Sequence, residues 1–255
     1  LACARRAVIS NLDVQYRNED ILLSASLGKC MRFKSHDVRL FKGRGSIGVR
    51  GIRLKKDDFV ISISVLNHIE TDIDTRTLYL KTASSKRRGE KQDFMPESDF
   101  EKMHLDDQFI LTVTQNGYGK RTSAYEYRIT NRGGQGIINI ETSKRNGSVI
   151  GSFPVEDTDH VMMVTDAGRI IRSPVNDIRI ASRNTQGVTL FSINEGEKVV
   201  SVTALSINDN EDEEVSNDSD NLVNDYDNNE INHDSENSVT QDNIKKENIE
   251  EDNND

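Results

Sequence analysis

Apolar residues along the chain fall into short runs, and within the clearest of these they alternate with polar or small residues. The run VVSVTAL at 199–205 places its valines and leucine mostly at every second position. Similar β-rich runs lie at 58–66 and 148–155. Alternation with a period of two is typical of strands that bury one face. Because these regions contain no helix-period stretch of useful length, we predict an all-β fold.

The chain contains three copies of one unit, which align at 21–54, 109–140 and 160–191. Each copy opens on an apolar run and continues with a glycine that is followed four residues later by an arginine. A second arginine and an Arg-x-x-x-Gly element come next. The glycine–arginine pairs are Gly28/Arg32, Gly117/Arg121 and Gly168/Arg172; the second arginines are Arg39, Arg128 and Arg179; the Arg-x-x-x-Gly elements are Arg44/Gly48, Arg132/Gly136 and Arg183/Gly187.

Units of about 50 residues with four short strands and turn glycines are typical of propeller blades. We therefore predict a partial propeller-like domain over 1–205, with about three blades at 20–66, 108–155 and 159–205. The run at 4–12 resembles the end of a fourth blade. Asn-Gly pairs at 116–117 and 146–147 predict hairpin turns, since both residues tolerate positive φ.

The first two units are separated by an insertion at 67–107. Its segment KTASSKRRGEKQ (81–92) is polar and charged, which predicts a loop. Ser98 and Glu101 form a capping-box pattern, which predicts a short helix near 98–106.

Charge divides the chain into two regions of opposite sign. Residues 206–255 carry 18 acidic residues against two lysines, and this segment lacks an apolar face, so we predict a disordered acidic tail. Residues 1–205 carry 31 Lys and Arg against 25 Asp and Glu, a net charge of +6. A basic domain suits a polyanionic partner.

The repeated basic residues are the candidate binding site. In a single unit, such arginines are most simply explained as solvated charges that prevent edge-to-edge pairing of strands. Their recurrence in one register instead predicts a basic rim along stacked blades, suited to the phosphates of a bent duplex. The candidate DNA-binding residues are Lys29, Arg32, Arg39, Arg44, Lys120, Arg121, Arg128, Arg132, Arg169, Arg172, Arg179 and Arg183.

No pattern in the chain predicts catalysis. The five histidines lack metal-ligand spacing, and GYGKRT (117–122) lacks the spacing of a phosphate-binding loop. We therefore expect no catalytic residue, cofactor or metal in this chain. The two cysteines favour a reducing compartment, and no apolar run is long enough to span a bilayer, so we expect a cytoplasmic location without membrane contact.

Three stretches closely resemble repeats of the C-terminal domain of the bacterial DNA gyrase A subunit. They are GKCMRF with GRGSIGVRGIRL, QNGYGKRTSAYEYRITNRGGQGIINI and GRIIRSPVNDIRIASRNTQGVTL, and the resemblance extends over about 4–205. It implies a β-pinwheel that wraps double-stranded DNA and supports ATP-driven negative supercoiling. It also implies as partners the remainder of the gyrase A subunit and the gyrase B subunit, in a heterotetramer that uses ATP and Mg on other domains or subunits.

Two alternatives stay open at this point. The basic glycine-rich heptapeptide expected in the first blade of that family is absent from these residues, and we expect it to precede Leu1. The A subunit of topoisomerase IV has related blades without this heptapeptide, so its C-terminal domain is one alternative. A propeller-type protein-interaction domain, with arginines that only protect strand edges, is the other.

The opposite charges of the tail and the domain generate a first prediction. We expect the predicted disordered segment, with a net charge of −16 and tethered to a basic domain, to compete with DNA phosphates for the same arginines. Deleting residues 206–255 should therefore tighten DNA binding most at low salt, as measured by titration of a fluorescent duplex. The alternative is that the tail is an inert solubilising segment. Equal affinities of the intact and truncated chains at low salt would show that the tail does not compete.

Overall fold

The computed structural model describes residues 18–39 and 47–206. The run at 4–12, Arg44 and the acidic tail after Ser206 lie outside these residues. The strands are β1 (Glu19–Ala25), β2 (Lys29–Lys34), β3 (Val60–Asn67), β4 (Phe109–Thr114), β5 (Tyr118–Ser123), β6 (Ile137–Ile138), β7 (Val149–Val155), β8 (His160–Thr165), β9 (Ile170–Pro174), β10 (Val188–Thr189) and β11 (Val199–Leu205). The α-helices are α1 (Ile73–Arg87) and α2 (Glu97–Asp106), and short 3-10 helices lie at Ser35–Asp37, Ala124–Glu126 and Val175–Asp177.

Each unit begins with a tight antiparallel hairpin, formed by β1–β2, β4–β5 and β8–β9. The turn glycines Gly28, Gly117 and Gly168 have φ of 80°, 76° and 81°, which L side chains rarely adopt. The hairpin predicted at 116–117 is therefore confirmed. The hairpin predicted at 146–147 is wrong. Asn146 lies in a loop between β6 and β7, two strands that belong to different sheets.

Each four-stranded sheet takes its outermost strand from the following unit. The strand orders are β3-β1-β2-β6 and β10-β5-β4-β7, and the third sheet contains β11-β8-β9. Our sequence interpretation placed four strands in each unit, and units two and three do contain four. It did not foresee that one of these strands pairs in the sheet of the preceding unit. The exchanged strands are only two residues long, which is too short for the alternation pattern to reveal them.

Consecutive units are therefore joined both by the chain itself and by strand hydrogen bonds across their boundary, and we call each such boundary a seam. At the first seam, between units one and two, β6 pairs with β2 through Cys30 and Ile137. At the second seam, between units two and three, β10 pairs with β5 through Gly119 and Val188. Parallel bridges reinforce both seams, joining Arg32 to Ile129 and Arg121 to Ile180.

Apolar side chains from neighbouring units fill both seams. One buried cluster joins residues of the first and second units: Leu22, Cys30, Leu66, Ile110, Ala124 and Tyr127. Another joins the second and third units: Leu111, Val113, Val155, Val161, Met163, Val175, Ile178 and Val199. Full burial of one such side chain contributes roughly 1.5–3 kcal/mol. The units are therefore held together by a shared core as well as by strand exchange.

The insertion forms two helices that pack on the second unit. Tyr79 of α1 is buried, stacks on Phe100 of α2 and packs against Tyr125. The helix predicted at 98–106 is confirmed, although its N-cap is Pro96, without a side-chain hydrogen bond. The loop predicted at 81–92 is wrong for residues 81–87, which belong to α1. This part of the helix is polar in composition, yet it buries Thr82, Ala83 and Ser85.

The glycine turns generate a second prediction. A Cβ on Gly28 would lie 2.2 Å from the carbonyl oxygen of Ile140 in the next unit, whereas a Cβ on Gly168 would meet nothing within 4 Å. Gly168→Ala should cost only backbone strain, roughly 1–2 kcal/mol. Gly28→Ala should cost about 1–3 kcal/mol more, since the seam must open to admit the methyl group. Urea unfolding measures both variants, and equal losses would contradict the described packing.

Candidate nucleic-acid interface

The first arginine position of the repeat is buried. Arg32 is 5% exposed, and its guanidinium group binds across the first seam. Its Nε donates to Asp20 at 2.8 Å, Nη1 donates to the carbonyl of Ala124 at 2.9 Å, and Nη2 donates to the carbonyl of Asn67 at 2.9 Å. These donors leave the guanidinium no free face toward solvent.

Arg121 repeats this arrangement at the second seam, where it is 6% exposed. Its Nε donates to the carbonyl of Ile178 at 2.7 Å, Nη2 donates to the carbonyl of Asn176 at 3.0 Å, and Nη1 pairs with Asp157. Both arginines thus bind carbonyls in and beside the 3-10 helix of the following unit. We call Arg32 and Arg121 the clamp arginines.

The third unit has no following unit among the described residues, and its equivalent residue differs accordingly. Arg172 is exposed, and its Nε donates to Nδ1 of His160 at 2.9 Å. The prediction that this position belongs to an exposed rim is therefore wrong for Arg32 and Arg121. A guanidinium has five donors, which allows one side chain to bind several carbonyls at a seam.

The third arginine position binds the preceding unit. The Nε of Arg132 donates to the carbonyl of Asp37 at 2.9 Å, and Nη1 of Arg183 donates to the carbonyl of Ile138 at 2.6 Å. Arg132 remains exposed and Arg183 is half-buried. These residues therefore combine a structural bond at the seam with partial access to solvent.

Only the second position is exposed in every unit. Arg39, Arg128 and Arg179 all lie on the surface. In the described part of the chain, the side chains of Arg128 and Arg179 make no hydrogen bond or ion pair. Their backbones are fixed, because each residue directly precedes the parallel bridge at its seam. We call Arg39, Arg128 and Arg179 the seam arginines.

The remaining candidates divide between buried and surface positions. Lys29 is half-buried beside β6, and Arg169 is exposed but pairs with Glu197 at 2.8 Å. Lys120 is fully buried, so an exposed rim position is wrong for it as well. Its Nζ donates to the carbonyls of Ser182 and Arg183 in the third unit. Burial lowers the pKa of Lys120 to about 7, with Glu126 acting in the opposite direction.

One surface pair was missed by the sequence analysis. The guanidinium of Arg145 lies 5.0 Å from the centre of the Tyr118 ring, and its Nε donates to the tyrosine hydroxyl at 3.3 Å. This hydrogen bond lowers the pKa of Tyr118. Arg145 escaped detection because the third unit has Gly196 at the equivalent place, so the repeat gives no signal there.

The surface presents cationic groups on a backbone that is fixed at the seams. The described residues contain no group of three or more His, Cys, Asp or Glu that could hold a metal ion. Within the same residues, no helix is long and apolar enough to cross a membrane. Exposed guanidinium groups suit phosphate oxygens, with which they form charge-assisted, often bidentate hydrogen bonds.

The repeated sheets with an exchanged outer strand define a propeller-type repeat domain. A family profile described as "DNA gyrase C-terminal domain, beta-propeller" matches residues 19–67, 108–156 and 159–206, and the chain belongs to this family. The chain is 44% identical to the DNA gyrase A subunit of Granulibacter bethesdensis over 76% of its own length and 24% of the relative's. It is 39% identical to the DNA gyrase A subunit of Salmonella typhimurium over 75% of its own length and 17% of the relative's.

Solved structures share the fold. A gyrase A C-terminal domain aligns with a TM-score of 0.54 at 20% identity, over 74% of this chain and 52% of that one. A topoisomerase IV C-terminal domain aligns with a TM-score of 0.55 at 21% identity, over 74% of this chain and 47% of that one. The chain thus spans about a quarter or less of the curated relatives and about half of these domains.

The clamp arginines generate a third prediction. Arg32→Met removes the arginine partner of the fully buried Asp20, which keeps its contact with His68. It also removes the guanidinium donors to the carbonyls of Ala124 and Asn67, so the free energy of unfolding should fall by about 3–5 kcal/mol. Arg172→Met changes the same repeat position where the side chain is exposed, and it should cost under about 1 kcal/mol. Thermal and urea unfolding compare the two. Similar losses would mean that Arg32 does not clamp the seam.

Proposed function

We propose that this chain is a non-catalytic module that binds and wraps double-stranded DNA through its seam arginines. The observation that carries the proposal is the exposure of Arg39, Arg128 and Arg179 at one repeat position. At the other two positions, four of the five described arginines bind protein backbone across a seam: Arg32, Arg121, Arg132 and Arg183. Membership of the DNA gyrase C-terminal domain family supports the choice of DNA as the polyanion.

Phosphate contact explains why arginine is suited to this position. Guanidinium groups that reach phosphates provide affinity without reading base sequence, and they release condensed counterions on binding. Since one seam arginine recurs per unit, contacts recur along the duplex as the units follow one another. Half-buried Arg183 and exposed Arg132 lie in the same seam loops and add positive potential there.

The wider context is part of the same proposal. In the holoenzyme, the module works with the remainder of the gyrase A subunit and with the gyrase B subunit in a cytoplasmic heterotetramer. There it supports ATP-dependent negative supercoiling, with ATP and Mg bound elsewhere. The curated relatives are gyrase subunits, which favours this assignment over topoisomerase IV. In a protein-interaction module the recurring arginines would only protect strand edges, and DNA binding would then not depend on Arg128 and Arg179.

The test is a double substitution of seam arginines. Arg128→Ala with Arg179→Ala should weaken binding to a duplex of about 150 bp and reduce the slope of log K against log salt by about 2, roughly one unit for each lost phosphate contact. Fluorescence titration at several salt concentrations measures both effects. Circular dichroism and thermal unfolding should remain close to those of the parent chain, because neither side chain bonds to the described part of the protein.

The matched control removes two positive charges elsewhere. Lys56→Ala with Lys102→Ala changes exposed lysines away from the seams and should leave the salt slope nearly unchanged. If both double variants lose the same affinity and slope, the DNA responds to net charge alone and the seam arginines are not the contact site.

A further inference from the structure

Lys120 is a buried lysine without an acidic partner within ion-pair distance in the described part of the chain. It has no solvent-exposed surface, and its Nζ reaches across the second seam to the carbonyls of Ser182 and Arg183, the latter at 2.8 Å. Both carbonyls belong to the loop that joins Arg179 to Arg183. Lys120 therefore bonds to the loop that begins at the seam arginine Arg179.

The other units place apolar residues at this repeat position. In the hairpin register, Lys120 lies opposite Thr112, as Met31 lies opposite Leu23 and Ile171 lies opposite Met163. At the first seam, Met31 is packed closely against the equivalent loop, since a Cβ on Gly134 would lie 2.9 Å from its terminal methyl group. An apolar side chain can thus fill this position, so a packed core does not require a lysine here.

The charged groups around Lys120 come from four elements. Burial is the main influence on its pKa and lowers it to about 7. Glu126 from the adjoining 3-10 helix and, more weakly, Cys30 of β2 and Glu141 after β6 favour the protonated form, whereas Arg183 in the loop opposes it. The Lys120 amine therefore changes charge near neutral pH while in contact with the second-seam loop.

We propose that Lys120 is a positioning residue for DNA binding, whose protonated amine holds the second-seam loop in the conformation that presents Arg179 to phosphate. The inference rests on the proposed DNA-binding function. An ammonium has three donors and a full charge for the two carbonyls, so the neutral amine holds the loop less firmly. Nearby phosphates favour the ammonium in turn, and by linkage DNA binding and protonation strengthen each other.

The experiment compares the intact chain with Lys120→Met, which introduces the side chain that the first seam uses. Affinity for a fluorescent duplex should fall roughly threefold to tenfold in the intact chain between pH 6 and 8.5, the scale of one charge acting on nearby phosphates. In Lys120→Met this fall should largely vanish, with affinity at both pH values close to that of the intact chain at pH 8.5. Calorimetry near pH 7.5 in two buffers of different ionisation enthalpy should show proton uptake on binding only with Lys120 present.

Two further variants keep the outcome decisive. The double variant Lys120→Met with Thr185→Gly reproduces the first seam, where Gly134 leaves space for Met31. It takes the place of Lys120→Met if the single variant does not fold. Lys56→Met removes one exposed charge and should lower affinity slightly and equally at both pH values. If the intact chain binds DNA but the pH profiles of the parent and the Lys120 variants run parallel, the positioning role is wrong. If the intact chain binds no duplex, the proposed function itself fails.

Stability gives an independent readout of the same group. An unfolded lysine has a pKa near 10.4, above the value of about 7 for folded Lys120, so between these values the unfolded chain binds the extra proton. The free energy of unfolding of the parent relative to Lys120→Met should therefore rise as pH increases from 7 to 10, and stay constant below 7. A constant difference across the whole range would contradict the buried titrating amine.

Discussion

The donation of one arginine side chain to the backbone of the next unit is the interaction on which the rest of the structure depends. A two-residue strand is too short to hold a sheet edge alone, and β6 and β10 are both of this length. The clamp arginines supply what these strands lack. Each binds carbonyls in or beside the following 3-10 helix and so fixes where the next unit begins. Loss of a clamp removes the side-chain donors that tie these carbonyls to the preceding unit.

The repeated arginines therefore have different roles at the three positions of the unit. At the two described seams, the arginine at the first position binds the following unit, the arginine at the third position binds the preceding unit, and the arginine at the second position is exposed. A surface that must hold cations at regular intervals benefits from such a framework, since an exposed arginine on a loose loop loses side-chain and backbone entropy on binding. Under the proposed function, the clamps support DNA binding without touching the duplex.

Much of the fold could be predicted from the sequence. The hairpin at 116–117 and the second insertion helix follow from local chemistry, and repetition located the turn glycines and all three arginine positions. The family resemblance, carried by stretches such as that at 115–140, is confirmed. Strand exchange was not accessible, because the two-residue strands show no period and their partners lie in another unit.

The candidate site was predicted in outline and wrong in part. Recurrence shows that a position is important, but it does not reveal the role. An arginine that binds a carbonyl recurs in the same way as one that binds a phosphate. Arg32 and Arg128 therefore looked alike in sequence, and only their burial distinguishes them. The buried Lys120 was grouped with the rim for the same reason. Helix α1 was missed at 81–87 because its buried residues are small or polar, so the segment shows no apolar stripe.

The central claim is that exposure divides the repeated arginines into DNA contacts and structural clamps. Labelling the intact chain with phenylglyoxal, with and without duplex DNA, tests this residue by residue when modified peptides are quantified by mass spectrometry. The account predicts that Arg128 and Arg179 react readily in the free chain and are protected by DNA, while Arg32 and Arg121 stay unmodified in both states. Rapid labelling of Arg32 and Arg121 in the folded chain, or no protection of Arg128 and Arg179 by DNA, would contradict it.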